Sequence, residues 1–195
     1  MSKSDPALSR KQKRKTALWV LTIFIVTIIV SALISLVSEE VMASSGMVSA
    51  FIILLAIIML GILFDIIGVA VTSADEAPFH AMAARKVPGA KEAIRLLRKA
   101  DKVSSICNDV IGDICGVVSG SASATIAVQI LQNFEFSWER VVSLIMSAMV
   151  AGITVGGKAL GKSFAVNSST TIVHSVGKVI WWLSNLPQLF RKKKK

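Results

Sequence analysis

Long runs of hydrophobic residues, separated by short polar segments, dominate this chain. Residues 17–38 contain no charged side chain, and residues 48–71 contain a single one, Asp65. Both runs exceed the length of about 18 residues that marks a transmembrane helix. A basic segment precedes the first run, so a signal peptide is the alternative there. The run is longer than the hydrophobic region of a signal peptide, about 7–15 residues, which favours a retained helix.

Two further runs complete the hydrophobic pattern. Residues 103–130 are less hydrophobic and contain Asp109 and Asp113, whereas residues 141–157 are uncharged but short. We expect the last helix to continue past Lys158, because a lysine can extend its amine towards the membrane surface. The pattern predicts an all-α, polytopic membrane bundle with four transmembrane helices.

Two amphipathic segments lie outside these runs. Residues 75–101 contain a Pro-Gly turn signal between two helical patterns, which predicts a juxtamembrane helical hairpin. Residues 165–195 combine an amphipathic helix, two tryptophans and a basic end, which predicts a C-terminal interfacial helix with a polybasic tail. A fifth span is the alternative for this helix. His174 within it is expected to be structural.

Positive charge is distributed very unevenly. The chain has 195 residues, with 22 Lys and Arg against 12 Asp and Glu, a net charge of +10. If the N-terminus is cytoplasmic and four helices span, every Lys and Arg except Arg140 lies on the cytoplasmic side. The positive-inside rule therefore predicts a multi-pass protein of the cell membrane with both termini in the cytoplasm. The basic excess indicates membrane lipid as a partner and argues against nucleic acid.

Acidic side chains within a span are the residues most indicative of function, because hydrocarbon penalises their charge. Asp109 and Asp113 are four residues apart and share a helix face, and Asn108 adds a neighbouring oxygen. Oxygen ligands of this kind suit a hard cation such as Mg²⁺. The alternative is structural: the aspartates cap a helix or pair with Lys102 or Lys158.

Small residues recur every four positions in the last two spans. Such rows allow close approach of helices in lipid and predict helix packing. The two rows are Gly112, Gly116, Gly120 and Ala124, and Ala148, Gly152 and Gly156.

Three short segments share their order and spacing with one known family. Residues 73–77 (SADEA) follow a long span where that family has Ser-Glu-Thr-Ala, and residues 106–112 (ICNDVIG) open a span where it has a segment with Asn and Gly. Residues 157–162 (GKALGK) stand where it has Gly-Glu-x-x-Pro-Lys. On these segments, roughly residues 50–185 resemble the transmembrane domain of the CNNM/CorC/CorB proteins, which are implicated in Mg²⁺ transport.

The resemblance implies a homodimer of three spans with juxtamembrane helices and a cation site among the helices. Asp65 would line the exit path. The residues 17–38 would be an additional helix, and no counterpart of the family's nucleotide-binding CBS pair is found. The chain then divides into a basic tail (1–16), the extra helix (17–38), a CNNM/CorC-like domain (48–164), and an interfacial helix with its tail (165–195). The metal ligands would be Asp109, Asp113, Asn108, Ser73, Asp75 and Glu76.

Two departures from the family pattern bear on function. Ala74 stands where the family has a serine before its acidic residue. Lys158 stands where the family has a glutamate after its last span, so that the lysine ammonium would take the place of the ion. The main hypothesis is Mg²⁺ or Co²⁺ transport or homeostasis. The alternative is a non-transporting scaffold or partner subunit in which Lys158 pairs with an intramembrane aspartate. No nucleophile–base set or phosphate loop indicates an enzyme, and no cofactor is expected.

Overall fold

The computed structural model describes residues 6–44, 46–133 and 139–192, and this part of the chain is helical and contains no strand. Four stretches are long and apolar enough to cross a membrane: Ala17–Ser38, Met47–Ser73, Ala100–Gln132 and Arg140–Asn167. This confirms the predicted all-α fold with four candidate spans. In chain order the helices are α1 (Pro6–Ser44), α2 (Met47–Ser73), α3 (Ala77–Ala84), α4 (Ala90–Leu97), α5 (Ala100–Ser105), a π-helix (Ile106–Gly112), α6 (Asp113–Asn133), α7 (Glu139–Asn167) and α8 (Ser169–Lys192).

Helix α2 lies at the centre of the bundle. It packs against α6, α7 and the π-helix along its length, and against α5 and α8 at its C-terminal end. Its hydrophobic residues on all sides suit this position, since some face other helices and the rest face lipid. The core in the N-terminal half of α2 is formed by Ala50, Leu54, Ile58, Ile62, Ala122, Ile126 and Val150.

A second core lies at the other end of α2, where the short helices meet α8. Phe79 of α3 is completely buried in it, together with Val173 of α8. The remaining members come from α2, α4 and α7: Ala70, Val71, Ala93, Leu97 and Ala165. This core fixes the predicted hairpin against the end of the membrane bundle.

The hairpin and α8 are joined by contact between their backbones. Gly89 ends the Pro-Gly turn with φ +85°, a conformation that favours glycine. A Cβ on Gly177 would overlap the carbonyl oxygen of Gly89 and lie 3.0 Å from the nitrogen of Ala93. Nε2 of His174 is 3.2 Å from the carbonyl oxygen of Pro88, so this histidine holds the same turn.

Helix α1 attaches to the bundle along one side. Ile23 and Val30 pack against a buried cluster of Val110, Ile114 and Val118 on the π-helix and α6. Most of its other large apolar residues are exposed, as expected of a helix that faces lipid.

Beyond Gly112, the glycines of the two predicted rows do not pack against other helices in the described part of the chain. A Cβ added at Gly116, Gly120, Gly152 or Gly156 would meet nothing within 4 Å. Of the row members, Gly112 is buried. The glycines that do allow close helix packing are others: Gly157 and Gly161 of α7 receive Ile62 and Ile66 of α2, and Gly61 and Gly68 of α2 receive residues of the third span.

We expect Gly177→Ala to lower the free energy of unfolding by about 1–3 kcal/mol, because the added methyl group overlaps backbone atoms of the hairpin that have no room to move. Thermal unfolding of the purified protein in detergent would measure this. Gly156→Ala is the matched control, and it should leave stability unchanged or raise it by up to about 1 kcal/mol through helix propensity. Equal effects of the two changes would contradict the backbone contact.

Candidate functional site

Helix α2 and the third span approach closely at two glycines. A Cβ on Gly61 would lie 2.9 Å from Cβ of Cys115, and one on Gly68 would overlap the side chain of Asn108. Asp65 lies between these glycines, four residues after the first and three before the second, and therefore on the same helix face. Asp65 therefore lies on the face of α2 that packs against the third span.

Asp65 is buried without full hydrogen bonding. Its residue is 5% exposed, and the Oδ2 atom has no hydrogen-bond partner. A buried carboxylate oxygen without a partner is costly in a folded protein. It lies about 12 Å from the C-terminal end of α2, well inside the candidate span. A structure that retains such a group calls for a ligand, a proton or water at this oxygen.

Asn108 presents a second oxygen in the same interface. Its Nδ2 donates a hydrogen bond to Oγ of Ser104 at 3.3 Å, which leaves the Oδ1 atom buried and without a partner. The absence of a side chain at Gly68 makes the room for this amide. The α2–π interface therefore holds two unpartnered oxygens, one from each helix.

The π-helix itself contributes to the arrangement. Its wider turn over Ile106–Gly112 interrupts an otherwise α-helical span. Such π-helical turns are rare and occur frequently at functional sites. Asn108 is part of this π-helix, which packs against the face of α2 that carries Asp65 and Gly68. The unusual backbone and the unpartnered oxygens therefore occur in the same region.

Lys158 reaches this region from α7. Its Nζ lies 3.5 Å from the position of a Cβ on Gly112, and the residue is half-buried. No ion pair within 4.0 Å joins it to a carboxylate among the described side chains. One positive charge therefore lies at the end of the π-helix, with no ion pair to a carboxylate of the described residues.

Four of the other predicted ligands are exposed in the structure, unlike the amide oxygen of Asn108. Asp109 and Asp113 are exposed on the outer surface of the third span. Ser73 is exposed at the end of α2, and Asp75 accepts a hydrogen bond from the nitrogen of Ala77 at 3.4 Å. Within the described residues, no group of three or more His, Cys, Asp or Glu is placed to hold a metal ion.

Glu76 has protein partners of its own. Its carboxylate is 3.2 Å from Nε2 of His80 and 4.0 Å from Nε of Arg98. The contact with Arg98 links the start of α3 to the end of α4, and as an exposed pair it adds little to stability.

Sequence reasoning missed Asp65 as a candidate ligand and the hydrogen bond between Asn108 and Ser104. One signal was available. Asp65 is the single charge in a long apolar run, and glycines flank it at the spacing of one helix face. The π-helix had no such signal, because nothing in the local sequence requires the wider turn.

Comparison with known proteins gives no identification: no protein-family model matches this chain, and no curated protein matches it. The resemblance to the CNNM/CorC/CorB proteins is therefore a hypothesis that depends on the short segments described above.

The contact of Gly68 with Asn108 is open to a double-mutant cycle. We expect Gly68→Ala to lower the free energy of unfolding by about 1–3 kcal/mol, because the methyl group displaces the amide. In an Asn108→Ala background the same change should cost much less, since the overlapping atoms are gone. Thermal unfolding of the four proteins in detergent gives the coupling. Additive effects would show that the two residues do not touch.

Proposed function

We propose that this protein binds a divalent cation, Mg²⁺ above all, within the membrane and carries it across. One observation supports this most strongly. Asp65 and Asn108, on facing helices, each bury an oxygen that has no hydrogen-bond partner. A cation would satisfy both oxygens and offset the cost of burying them.

The chemistry of the two side chains suits Mg²⁺. This ion takes oxygen ligands and is usually held by one or two carboxylates, with water completing its shell. Asp65 would supply the charged ligand and Asn108 a carbonyl oxygen, while Ser104 would hold the amide in place by accepting a hydrogen bond from its Nδ2. In this proposal the ligand set is smaller than the one expected from the sequence, and water contributes more of it.

Access from the cytoplasmic side would depend on the helical hairpin. The hairpin and α8 form one core with the end of α2, at the end of the bundle closer to Asp65. In our proposal, movement of this core relative to the spans opens the site to one side and then the other. The orientation follows from the positive-inside rule, with both termini in the cytoplasm.

A homodimer is the proposed assembly. Asp109 and Asp113 are exposed on a face that continues into Gly116 and Gly120, at a depth where lipid would surround them. Exposed carboxylates are costly in hydrocarbon, and outward small residues favour close contact with another helix. A second copy of the chain that covers this face would remove the two carboxylates and the small residues from contact with lipid.

The proposal predicts that Mg²⁺ binding depends on Asp65. Calorimetry on the purified protein should show saturable Mg²⁺ binding in the wild type. Asp65→Asn should weaken it by at least about tenfold, because the charged ligand is lost. Asp101→Asn is the matched control, since Asp101 is exposed at the start of α5 and should leave binding unchanged.

Asp113→Asn belongs in the same series. If Asp113 is a ligand, as its position in the sequence suggests, Asp113→Asn would weaken Mg²⁺ binding as much as Asp65→Asn does. If the buried pair forms the site, Asp113→Asn binds as the wild type does. Undiminished binding in Asp65→Asn, or no binding by the wild type at millimolar Mg²⁺, would refute the proposal.

A non-transporting scaffold is the second candidate, and the position of Lys158 favours it. Its ammonium lies against Gly112, the residue that precedes Asp113. A fixed positive charge at the π-helix would repel an incoming cation and tie α7 to the third span.

The scaffold hypothesis predicts energetic coupling between Lys158 and Asp113. Because no ion pair within 4.0 Å joins the two described side chains, Lys158→Met should destabilise the protein by no more than about 1 kcal/mol, and Asp113→Asn should recover part of that loss. The measurement is thermal unfolding of both single variants and the double variant. Independent effects of the two changes, with Mg²⁺ binding that strengthens in Lys158→Met, would favour the cation site.

A further inference from the structure

An apolar groove of about 390 Å³ lies between α1 and α2, apart from the site at Asp65. It occurs where α1 leaves the bundle, since α1 contacts α6 more extensively than α2. The groove is lined by bulky side chains of both helices: Leu33, Ile34, Val37 and Val41 of α1, and Ile53 and Ile57 of α2.

Ser38 is the polar side chain that lines this groove. The residue is 7% exposed, and its hydroxyl oxygen is buried without a hydrogen-bond partner. Serines inside helices commonly donate to a carbonyl one turn earlier. Ser119 and Ser123 of α6 do so, at 2.9 and 2.7 Å. The hydroxyl of Ser38 makes no such hydrogen bond.

The positions of polar and apolar residues along the groove match those of the ester and acyl groups of a glycerophospholipid in the membrane. Ser38 is the last residue of the uncharged run and Glu39 follows it, so Ser38 lies at the boundary between hydrocarbon and headgroups. The ester carbonyls of a phospholipid lie at this boundary. Leu33 lies about 7.5 Å deeper along the helix, among the acyl chains. Ser38 thus lies towards the headgroup side of a groove whose other lining side chains are apolar.

The lining favours a lipid chain over a helix from a second copy. Helices that associate in membranes do so through small residues, which let their backbones approach. The walls of this groove are leucine, isoleucine and valine instead. Small outward residues lie on α6 and α7, where a second copy would fit better.

We propose that the groove between α1 and α2 binds one acyl chain of a glycerophospholipid, whose ester carbonyl accepts a hydrogen bond from Ser38. The lipid would fill the space that the two helices leave and would secure α1 to the bundle. This inference does not depend on the cation site.

The test uses the full chain in phosphatidylcholine liposomes. These contain a small fraction of a phosphatidylcholine with a photoreactive diazirine in the middle of one acyl chain. After illumination, mass spectrometry locates the labelled residues. In the wild type, labelling should concentrate on the lining residues of the groove. Ile57→Trp fills the groove and should remove most of this labelling. Leu36→Trp is the matched control, because Leu36 is 65% exposed on α1 and is not part of the lining.

Ser38→Ala tests the hydrogen bond with little change in shape. Labelling of the groove should fall by about threefold, the effect of one neutral hydrogen bond. Two results would overturn the proposal. One is labelling that covers the exposed faces of α1 evenly and is unchanged by Ile57→Trp and Ser38→Ala. The other is a disulfide-linked dimer formed by Val37→Cys in the same liposomes, since a second copy would then occupy the groove.

Discussion

Close backbone approach at glycine is the interaction on which this structure depends. Lipid supplies no hydrophobic driving force between helices, so packing and hydrogen bonds must hold them together. Helix α2 meets the third span at Gly61 and Gly68, and α7 meets α2 through Gly157 and Gly161. Outside the spans, Gly89 and Gly177 join the hairpin to α8 by direct contact between their backbones. These contacts determine which side chains lie in the interior.

The same contacts create the polar site. Because two glycines bring α2 against the π-helix, the residue between them is enclosed, and that residue is Asp65. Gly68 leaves space for the amide of Asn108. Elsewhere in the third span, serine hydroxyls are satisfied by backbone carbonyls of their own helix. The unpartnered oxygens of Asp65 and Asn108 differ from these serines, and our proposal places the cation at them.

The arrangement of helices followed from sequence because its signals are local. Uncharged runs of sufficient length gave the spans, and the Pro-Gly turn with amphipathic flanks gave α3 and α4. The continuation of the last span past Lys158 was also correct, since α7 ends at Asn167.

The site was less predictable because it depends on which helix faces meet. Gly116 and Gly157 look alike in sequence, yet the first faces outward and the second packs on α2. Asp109 and Asn108 are neighbours, but one is exposed and the other has its amide oxygen buried. The π-helix adds to the difficulty, because its wider turn rotates the residues that follow away from their α-helical positions. Only the tertiary structure decides these cases.

Magnesium entry into liposomes tests the central claim most directly, since it measures transport through the site and not only occupancy. Purified protein would be reconstituted with an internal Mg²⁺ indicator dye, and Mg²⁺ would be added outside. Our account predicts entry with the wild type and its loss in Asp65→Asn at equal reconstitution. Equal entry with the two proteins, or none above protein-free liposomes with the wild type, would contradict it.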